Sequence, residues 1–311
     1  MTPAPLPPDH RDRLALVRLA LDGLSVGDAY GELFFRDPHR HHLTDDAPYQ
    51  PPGPWEYTDD TEMALGIAEV LVRRGRVDQD DLAATFGRRF LLAPSRGYGP
   101  GALRLLTSVA AGGVWRLEAK ALFGGMGSFG NGSAMRVAPV GAYFAGDGLD
   151  VVAEQARLSA AVTHAHPDGI AGGVAVAVAA AFAVRNRGQA AADVRAALFE
   201  TVLAHTPPGD VRRNLEHAAA VDPALSPRSA AGLLGNGRRV TCPDTVPFCL
   251  WVFGRSFGDY PTAIWDTVRQ GGDIDTNAAI VGGLSALAGG PSAIPPDWLA
   301  AREALQIDGL P

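Results

Sequence analysis

Two clusters of acidic residues in this 311-residue chain have the side chains and the spacing of a site for divalent cations. The first cluster is residues 57–62, with the sequence YTDDTE, and the second is residues 271–277, with the sequence GGDIDTN. Each cluster precedes a run of helical periodicity, so its aspartates and threonines also suit the N-cap of a helix. Asp59 followed by Glu62 resembles a capping box. Capping is the simpler interpretation of either cluster taken alone.

Taken together, the two clusters favour a metal site. A helix cap needs one acceptor, whereas each cluster supplies three oxygen-bearing side chains within four residues. Neighbouring carboxylates repel each other, and a hard divalent cation, which prefers oxygen ligands, accounts for their proximity. If the two helix starts meet in space, four carboxylates and two hydroxyls surround a site for two Mg²⁺ or Mn²⁺ ions. The predicted ligands are Thr58, Asp59, Asp60, Asp273, Asp275 and Thr276.

A glycine-rich segment at residues 124–133, with the sequence GGMGSFGNGS, suits the binding of phosphate. Turns of this composition expose backbone N–H groups in a concave nest, although a flexible turn is the alternative. The spacing is neither that of a Walker loop nor that of a dinucleotide-binding loop. Phe123 and Phe129 flank the glycines and could stack on a base, while core packing is the commoner role for phenylalanine. Arg136 suits either a phosphate contact or a solvated position.

A histidine pair, His164 and His166, lies in the segment 163–168 with the sequence THAHPD. No third nitrogen or sulfur ligand follows at a spacing typical of zinc sites. We therefore expect these side chains to form hydrogen bonds with a ligand hydroxyl or with the backbone.

Composition narrows the class of protein. The formal net charge is −7 and no basic cluster is visible, which disfavours nucleic acid as a partner. Cys242 and Cys249 are predicted to be buried thiols of a cytoplasmic protein. The first residues lack the order of a secretory leader. The longest apolar stretch, residues 169–184, is shorter than the roughly 20 residues of a membrane span and predicts a core helix.

Helical periodicity recurs along most of the chain, and no segment alternates convincingly as a strand. The region 205–245 carries five prolines and predicts loops with one short helix, while Asp80 is expected to cap the third helix. We expect an all-α fold, one compact orthogonal helical bundle of residues 1–311, with residues 1–10 as a Pro-rich tail. The predicted helices are 11–30, from Asp60 through Leu71, 81–91, 103–111, 116–123, within 134–144, 150–162, 167–186, 190–204, 246–257, 259–270 and 275–288.

Five motifs, taken in order along nearly the whole chain, resemble those of the ADP-ribosylglycohydrolase family, which includes the dinitrogenase reductase activating glycohydrolases. The motifs are residues 23–31, 58–61, 128–136, 163–164 and 272–276. The resemblance implies an all-α fold and a dinuclear Mg²⁺ or Mn²⁺ centre held by the two acidic clusters. It also implies that residues 128–132 hold a diphosphate, that the two flanking phenylalanines stack on adenine, and that His164 contacts the distal ribose. The full predicted substrate site is Phe123, Gly127, Ser128, Phe129, Gly130, Asn131, Gly132, Met135 and His164.

One position departs from the family pattern. Many members carry a glutamate seven residues after the aspartate of the Gly-Asp pair, where it touches the metal and gates the site. Here that position is Phe35, and Glu32 lies only four residues after Asp28. The absence of the glutamate resembles members that act on ADP-ribosyl-arginine and rely on the tandem aspartates. A different substrate or a weak catalyst is equally consistent with it, and Glu32 either substitutes for the glutamate or points elsewhere. Glu32, Asp59 and Asp60 are the predicted catalytic residues.

The resemblance implies hydrolysis of the C1″ glycosidic bond of an ADP-ribosylated protein or small molecule. We expect the enzyme to be a monomer that does not bind membranes. Water, with its pKa lowered by the ions, attacks the anomeric carbon, and Asp59 or Asp60 accepts its proton. A neighbouring acid or water protonates the leaving group. Two alternatives remain at this level: hydrolysis of another ADP-ribosyl adduct (serine, O-acetyl-ADP-ribose or a modified base), and a non-catalytic ADP-ribose-binding protein.

Overall fold

Helices provide the regular structure of this protein. The computed structural model describes residues 6–35, 39–44 and 47–311, and within these ranges it contains no strand, only isolated bridges between Trp55 and Arg302 and between Gly130 and Thr241. The predicted all-α fold is therefore confirmed. Of the expected Pro-rich tail, residues 1–5 lie outside the described ranges, and His10 already belongs to the first helix.

The helices follow the predicted order closely. The α-helices are α1 (His10–Glu32), α2 (Asp59–Arg74), α3 (Gln79–Leu92), α4 (Pro100–Ala110), α5 (Trp115–Ala121), α6 (Gly132–Met135), α7 (Ala138–Tyr143), α8 (Leu149–Ala161), α9 (Pro167–Arg185), α10 (Ala191–His205), α11 (Asp210–Ala220), α12 (Pro227–Leu234), α13 (Cys242–Arg255), α14 (Tyr260–Val268), α15 (Ile274–Gly289) and α16 (Pro296–Ala301). Short 3₁₀ turns lie at Leu33–Phe35, His39–Thr44, Leu122–Gly125 and Pro291–Ala293.

The central helix pair is α1 and α15, which pack with their backbones in contact. A Cβ atom on Gly27 would lie 2.1 Å from the carbonyl oxygen of Ala278, and one on Gly23 would lie 2.4 Å from that of Gly282. Only glycine permits so close an approach of two helices. The contact brings the end of α1, with Asp28, beside the start of α15.

Helix α9 lies in the interior. It is the one helix in the described ranges that is long and apolar enough to span a membrane by length and composition, and 78% of that window is buried inside the protein. Its small side chains permit close packing, since a Cβ on Gly141 of α7 would lie 2.1 Å from the carbonyl oxygen of Ala177. Burial on all sides fits the predicted core helix. Cys242 and Cys249 are both buried free thiols, as predicted.

The region 205–245 corrects one prediction. It contains two helices, α11 and α12, and the start of α13, where one short helix was expected. Val211, Leu215 and Ala218 form the buried face of α11 at spacings of four and three residues. Pro227 and Pro243 occupy the first turns of α12 and α13, where the missing N–H group costs nothing. Two of the five prolines therefore mark helix starts, while Pro207, Pro208 and Pro223 lie between helices.

The cap of α3 corrects another prediction. Asp78, not Asp80, is the N-cap residue, and its side chain accepts a hydrogen bond from the Asp81 N–H at 3.1 Å. Asp80 lies inside the helix and instead accepts from the Trp115 indole N–H at 2.8 Å. Neighbouring acidic residues at a helix start all suit capping, so sequence alone did not separate them.

Candidate metal and substrate site

The N-termini of α2 and α15 meet at a buried cluster of carboxylates. One carboxylate oxygen from each of Asp28, Asp60 and Asp275 lies within 4.8 Å of the other two. The structure thus brings together the two acidic clusters, which are more than two hundred residues apart in the chain. It adds Asp28, which sequence analysis did not assign to the metal site. The Gly-Asp pair at residues 27–28 was the available signal.

Asp28 organises the start of α2. Its carboxylate accepts hydrogen bonds from the hydroxyl groups of Thr58 and Thr61 at 2.8 and 2.5 Å. It also accepts from the backbone N–H groups of the same two residues at 3.0 and 3.1 Å. Helix α1 therefore fixes where α2 begins, through one side chain that satisfies four donors.

Thr58 is the N-cap of α2, and its hydroxyl oxygen accepts from the Asp60 N–H at 3.3 Å. The capping box suggested by Asp59 and Glu62 does not form. Glu62 instead pairs with Arg89 at 2.8 Å, and both side chains are buried. Because Thr58 already caps the helix, Asp59 and Asp60 are left for another role.

Two oxygens of the cluster have no partner. Asp60 Oδ2 and Asp275 Oδ1 are both buried and accept no hydrogen bond within the described part of the chain. A buried acceptor without a donor costs free energy, and nearly all such atoms in folded proteins are paired. A hard divalent cation, which takes carboxylate oxygens as ligands, would satisfy both atoms. The residues present therefore fit Mg²⁺ or Mn²⁺.

The raised pKa values of the clustered aspartates also favour a cation site. Burial, and then the charge of Asp275, raises the pKa of Asp60 well above its ordinary value. Burial, and then the charge of Asp273, does the same to the pKa of Asp275. Burial and the charge of Asp28 raise the pKa of Asp59 to about 7. Carboxylates in this state retain protons without a cation and release them when one binds.

Asp59 is partly buried and contacts the segment between α3 and α4. Its backbone N–H donates to the carbonyl oxygen of Arg96 at 2.7 Å. A Cβ on Gly97, which has φ +92°, would lie 3.7 Å from Asp59 Oδ1. The segment between α3 and α4 thus lines this side of the site. Sequence analysis did not select it, although three glycines in residues 96–101 were a signal.

Glu32 is the last residue of α1 and is partly buried. Its charge contributes to the raised pKa of Asp275, which places it beside the cluster. Phe35, at the position where many family members carry glutamate, ends the following 3₁₀ turn and is 46% exposed.

Asn131 joins the glycine loop to the second acidic cluster. Its side-chain N–H donates to Asp273 Oδ2 at 2.6 Å and to Thr245 Oγ1 at 3.0 Å. Burial raises the pKa of Asp273, while the hydrogen bonds from Asn131 and from Thr276 lower it. A direct hydrogen bond therefore joins the predicted phosphate loop to the predicted metal ligands.

The segment 236–245 contacts both the glycine loop and the second acidic cluster. The Val240 carbonyl accepts from the Asn131 N–H at 3.3 Å. The Asn236 carbonyl accepts from the Asp273 N–H at 3.2 Å and from the Asn277 side chain at 2.7 Å. Sequence analysis missed this segment, because its turn residues show no periodicity.

The two predicted base-stacking residues present large exposed surfaces. Phe123 is 52% exposed and Phe129 is 37% exposed, and the Phe129 ring lies 5.0 Å from that of His166. Phe123 has φ +50°, a conformation that non-glycine residues rarely adopt and that is often found at functional sites. The glycines of the loop lie close to neighbouring residues. A Cβ on Gly127 would lie 2.7 Å from Ala165 Cβ, and one on Gly130 would lie 3.2 Å from Ser128 Oγ. A Cβ on Gly132 would lie 3.3 Å from His164 Cε1 and 3.9 Å from Met135 Cε.

His166 and Arg136 have structural roles. His166 Nδ1 accepts from the Asp168 N–H at 3.1 Å and so caps α9. Arg136 is only 1% exposed, and its guanidinium donates to the Ser159 carbonyl and lies 4.7 Å from the centre of the Phe86 ring. The phosphate contact and the solvated position considered for Arg136 are both wrong, because core side chains enclose it.

Comparisons with known proteins identify the family and support the helical fold. The sequence model of the ADP-ribosylglycohydrolase family matches residues 6–310. The chain is 28% identical over 270 residues to human ADP-ribosylhydrolase ARH3, covering 78% of this chain and 73% of that protein. It is 30% identical over 286 residues to an uncharacterized protein of Archaeoglobus fulgidus, covering 90% of this chain and 85% of that protein. A solved structure described as an ADP-ribosylglycohydrolase-related protein complex superposes with a TM-score of 0.66 at 27% identity, covering 94% of this chain and 93% of that one.

Proposed function

This chain belongs to the ADP-ribosylglycohydrolase family, and on that premise we propose that it hydrolyses the C1″ glycosidic bond of an ADP-ribosylated acceptor with two Mg²⁺ or Mn²⁺ ions. The observation that carries the proposal is the pair of buried, unpartnered oxygens of Asp60 and Asp275. They lie at one end of a site whose other end is the glycine loop, joined to it through Asn131 and Asp273.

The metal ligands of the proposal come from the starts of two helices. Divalent ions held there would supply Lewis-acid stabilisation of negative charge and would orient substrate oxygens. The hydroxyls of the two threonines complete an all-oxygen donor set, which suits Mg²⁺ and Mn²⁺ and disfavours zinc. The proposed ligands are Thr58, Asp59 and Asp60 from α2, and Asp273, Asp275 and Thr276 from α15.

Asp59 or Asp60 accepts the proton of the attacking water in this mechanism. Bound cations would keep both carboxylates ionised, so that either can accept a proton. The water oxygen forms a bond with C1″ as the bond to the acceptor breaks. Glu32, near Asp275, or a second water supplies the proton that the leaving group takes up.

The glycine loop holds the ADP-ribose half in this proposal. The N–H groups of Gly127, Gly130 and Asn131 donate within the protein, so those of Ser128, Phe129 and Gly132 are the loop donors proposed for the diphosphate. Phe123 and Phe129 offer exposed ring faces to the adenine. Met135 and His164 form the buried layer beneath the loop.

The proposed acceptor is arginine on a protein. Phe35 presents an exposed aromatic ring where many family members carry a glutamate, close along the chain to Glu32. A guanidinium stacks on aromatic faces, whereas a carboxylate at that position would instead engage the ions. The net charge of −7 does not favour a nucleic-acid acceptor.

The test is a substrate panel. ADP-ribosyl-arginine, ADP-ribosyl-serine and O-acetyl-ADP-ribose are each incubated with the protein, with Mg²⁺ or with EDTA, and the products are identified by mass spectrometry. We expect ADP-ribose release from the arginine conjugate with Mg²⁺ and none with EDTA. Release of ADP-ribose only from ADP-ribosyl-serine, or only from O-acetyl-ADP-ribose, would show that the acceptor is serine or acetate and not arginine. Binding of ADP-ribose without any turnover would favour the non-catalytic alternative.

A further inference from the structure

A chain of three buried side chains leads from the core to the underside of the glycine loop. Arg136, directly after α6, donates from Nη2 to Thr163 Oγ1 at 2.8 Å. Thr163 Oγ1 lies 2.7 Å from Nδ1 of His164. All three residues are buried. None of these contacts belongs to the metal cluster.

The chemistry of the three groups fixes the direction of each hydrogen bond. A guanidinium has donors only, so the Thr163 hydroxyl oxygen accepts from Arg136. The single hydroxyl hydrogen then points to His164 Nδ1, which accepts it. The reverse assignment would leave that buried hydrogen without an acceptor among the hydrogen bonds of the described residues. A neutral imidazole that accepts at Nδ1 carries its proton on Nε2.

The surroundings of His164 Nε2 are consistent with a proton on that nitrogen. A Cβ on Gly130 would lie 3.7 Å from His164 Nε2, so this nitrogen faces the loop backbone. Burial, and then the charge of Arg136, lowers the pKa of His164 to about 3, which keeps the ring neutral. The Gly130 backbone acts to raise the same pKa, so it too lies beside the ring.

We propose that Arg136 and Thr163 are positioning residues that hold His164 as the neutral tautomer protonated on Nε2, and that this N–H faces the loop backbone at Gly130 and Gly132. The Cys242 thiol donates to the Gly130 carbonyl at 3.1 Å, so a second buried side chain holds the same stretch of the loop. Because Nδ1 is occupied by Thr163, only the Nε2 N–H of His164 is left to contact the loop or a ligand.

The tautomer is measured directly by NMR. In ¹⁵N-labelled protein, long-range ¹H–¹⁵N correlations separate a protonated from an unprotonated ring nitrogen, and His164→Gln identifies the signals among the eight histidines. We expect Nε2 protonated and Nδ1 unprotonated in the wild type and in Thr163→Ser, which keeps the hydroxyl. In Thr163→Val we expect a mixture of tautomers. A protonated Nδ1 in the wild type, or a Thr163→Val spectrum like that of the wild type, would overturn the proposal. If Thr163→Val does not fold, the wild-type spectrum still decides the tautomer.

The consequence for the loop rests on the proposed function, because it concerns phosphate binding. Calorimetric titration with ADP-ribose in the presence of Mg²⁺ should show affinity about threefold to tenfold weaker in Thr163→Val, the effect of about one lost hydrogen bond. Thr163→Ser should stay within about twofold of the wild type. Equal affinity in both variants contradicts the role of the ring in positioning the loop. Absence of ADP-ribose binding in the wild type contradicts the proposed function, whereas the tautomer is decided by the spectra alone.

Discussion

Individual carboxylates in this protein are arranged at a cost to folding. Asp60 and Asp275 each bury an oxygen that has no hydrogen-bond donor, and burial and then the charges of neighbouring aspartates raise the pKa of each. Asp28, by contrast, satisfies four donors and does so within the same cluster. Asp28 therefore has a structural role in the site, whereas Asp60 and Asp275 keep free oxygens that a ligand can use.

Replacing Asp60 with asparagine should separate stability from activity. Without a cation the Asp60 carboxyl group must either hold a proton or bury an unpaired charge, and an asparagine amide avoids both, so we expect the cation-free protein to gain about 0.5–2 kcal/mol in free energy of unfolding. Turnover should fall by about 10²-fold or more, because both a proposed ligand and a candidate base are lost. Chemical denaturation in EDTA and the rate of ADP-ribose release measure the two effects.

Asp150→Asn is the matched control for that experiment, since its side chain is fully exposed on α8. It should change stability by less than about 0.5 kcal/mol and leave turnover intact. An Asp60→Asn variant that is less stable in EDTA than the wild type, or that retains full turnover, would contradict the assignment of Asp60.

At the scale of helices, the site depends on how α1 holds α2. Replacing Asp28 with alanine leaves the hydroxyl and N–H groups of Thr58 and Thr61 without their acceptor. Relief of repulsion within the cluster offsets part of this loss. Because four donors are involved, we expect a net destabilisation of about 2–4 kcal/mol, measured by urea denaturation. Asp12→Ala, a substitution at an exposed position of the same helix, should leave the free energy of unfolding nearly unchanged. Equal losses of stability in the two variants would contradict the role of Asp28.

The α1–α15 contact makes a second prediction at this scale. Gly27→Ala places a methyl group 2.1 Å from the Ala278 carbonyl, so the helices must separate. We expect a loss of about 1–3 kcal/mol in unfolding free energy, which exceeds the gain in helix propensity. Mg²⁺ should also stabilise the variant less than the wild type, because the two helices carry Asp28 and Asp275.

Gly232→Ala in α12 is the control for that substitution. A Cβ there meets nothing within 4 Å, so only helix propensity acts and we expect a gain of roughly 0.5–1 kcal/mol. If Gly27→Ala were stabilising as well, the close contact would not limit the approach of the two helices.

Most helix positions could be predicted from periodicity, because burial of an apolar face is a local pattern. Helix α9 shows this, since its run of alanine, valine and glycine predicted a core helix and the structure buries it. The helix α11 did not stand out, because its buried face rests on only Val211, Leu215 and Ala218 between polar residues. Prolines at the starts of α12 and α13 then suggested loops.

At the scale of the whole molecule, the sequence identified the two acidic clusters but not the contacts that join them. The hydrogen bond from Asn131 to Asp273 spans 142 residues, and that from Thr58 to Asp28 spans 30. No local pattern encodes such pairs, since they depend on how the helices cross. The burial of Arg136 was hidden for the same reason, because its partners Ser159 and Phe86 come from other helices.

The cluster as a whole predicts an unusual pH dependence of stability. Burial raises the folded-state pKa of Asp28 to about 6 and that of Asp59 to about 7, from ordinary values of 3.8. A carboxylate with a raised pKa contributes stability below pH 4, and that contribution is lost as pH rises through the folded pKa. In EDTA, the melting temperature should therefore fall by about 2–6 °C between pH 5 and pH 8. Mg²⁺ pairs with the ionised carboxylates, so its stabilising effect should be larger at pH 8 than at pH 5. Differential scanning calorimetry measures both trends, and Asp60→Asn should reduce both. A melting temperature that is flat in EDTA and raised equally by Mg²⁺ at both pH values would show that these carboxylates do not act as one buried cation site.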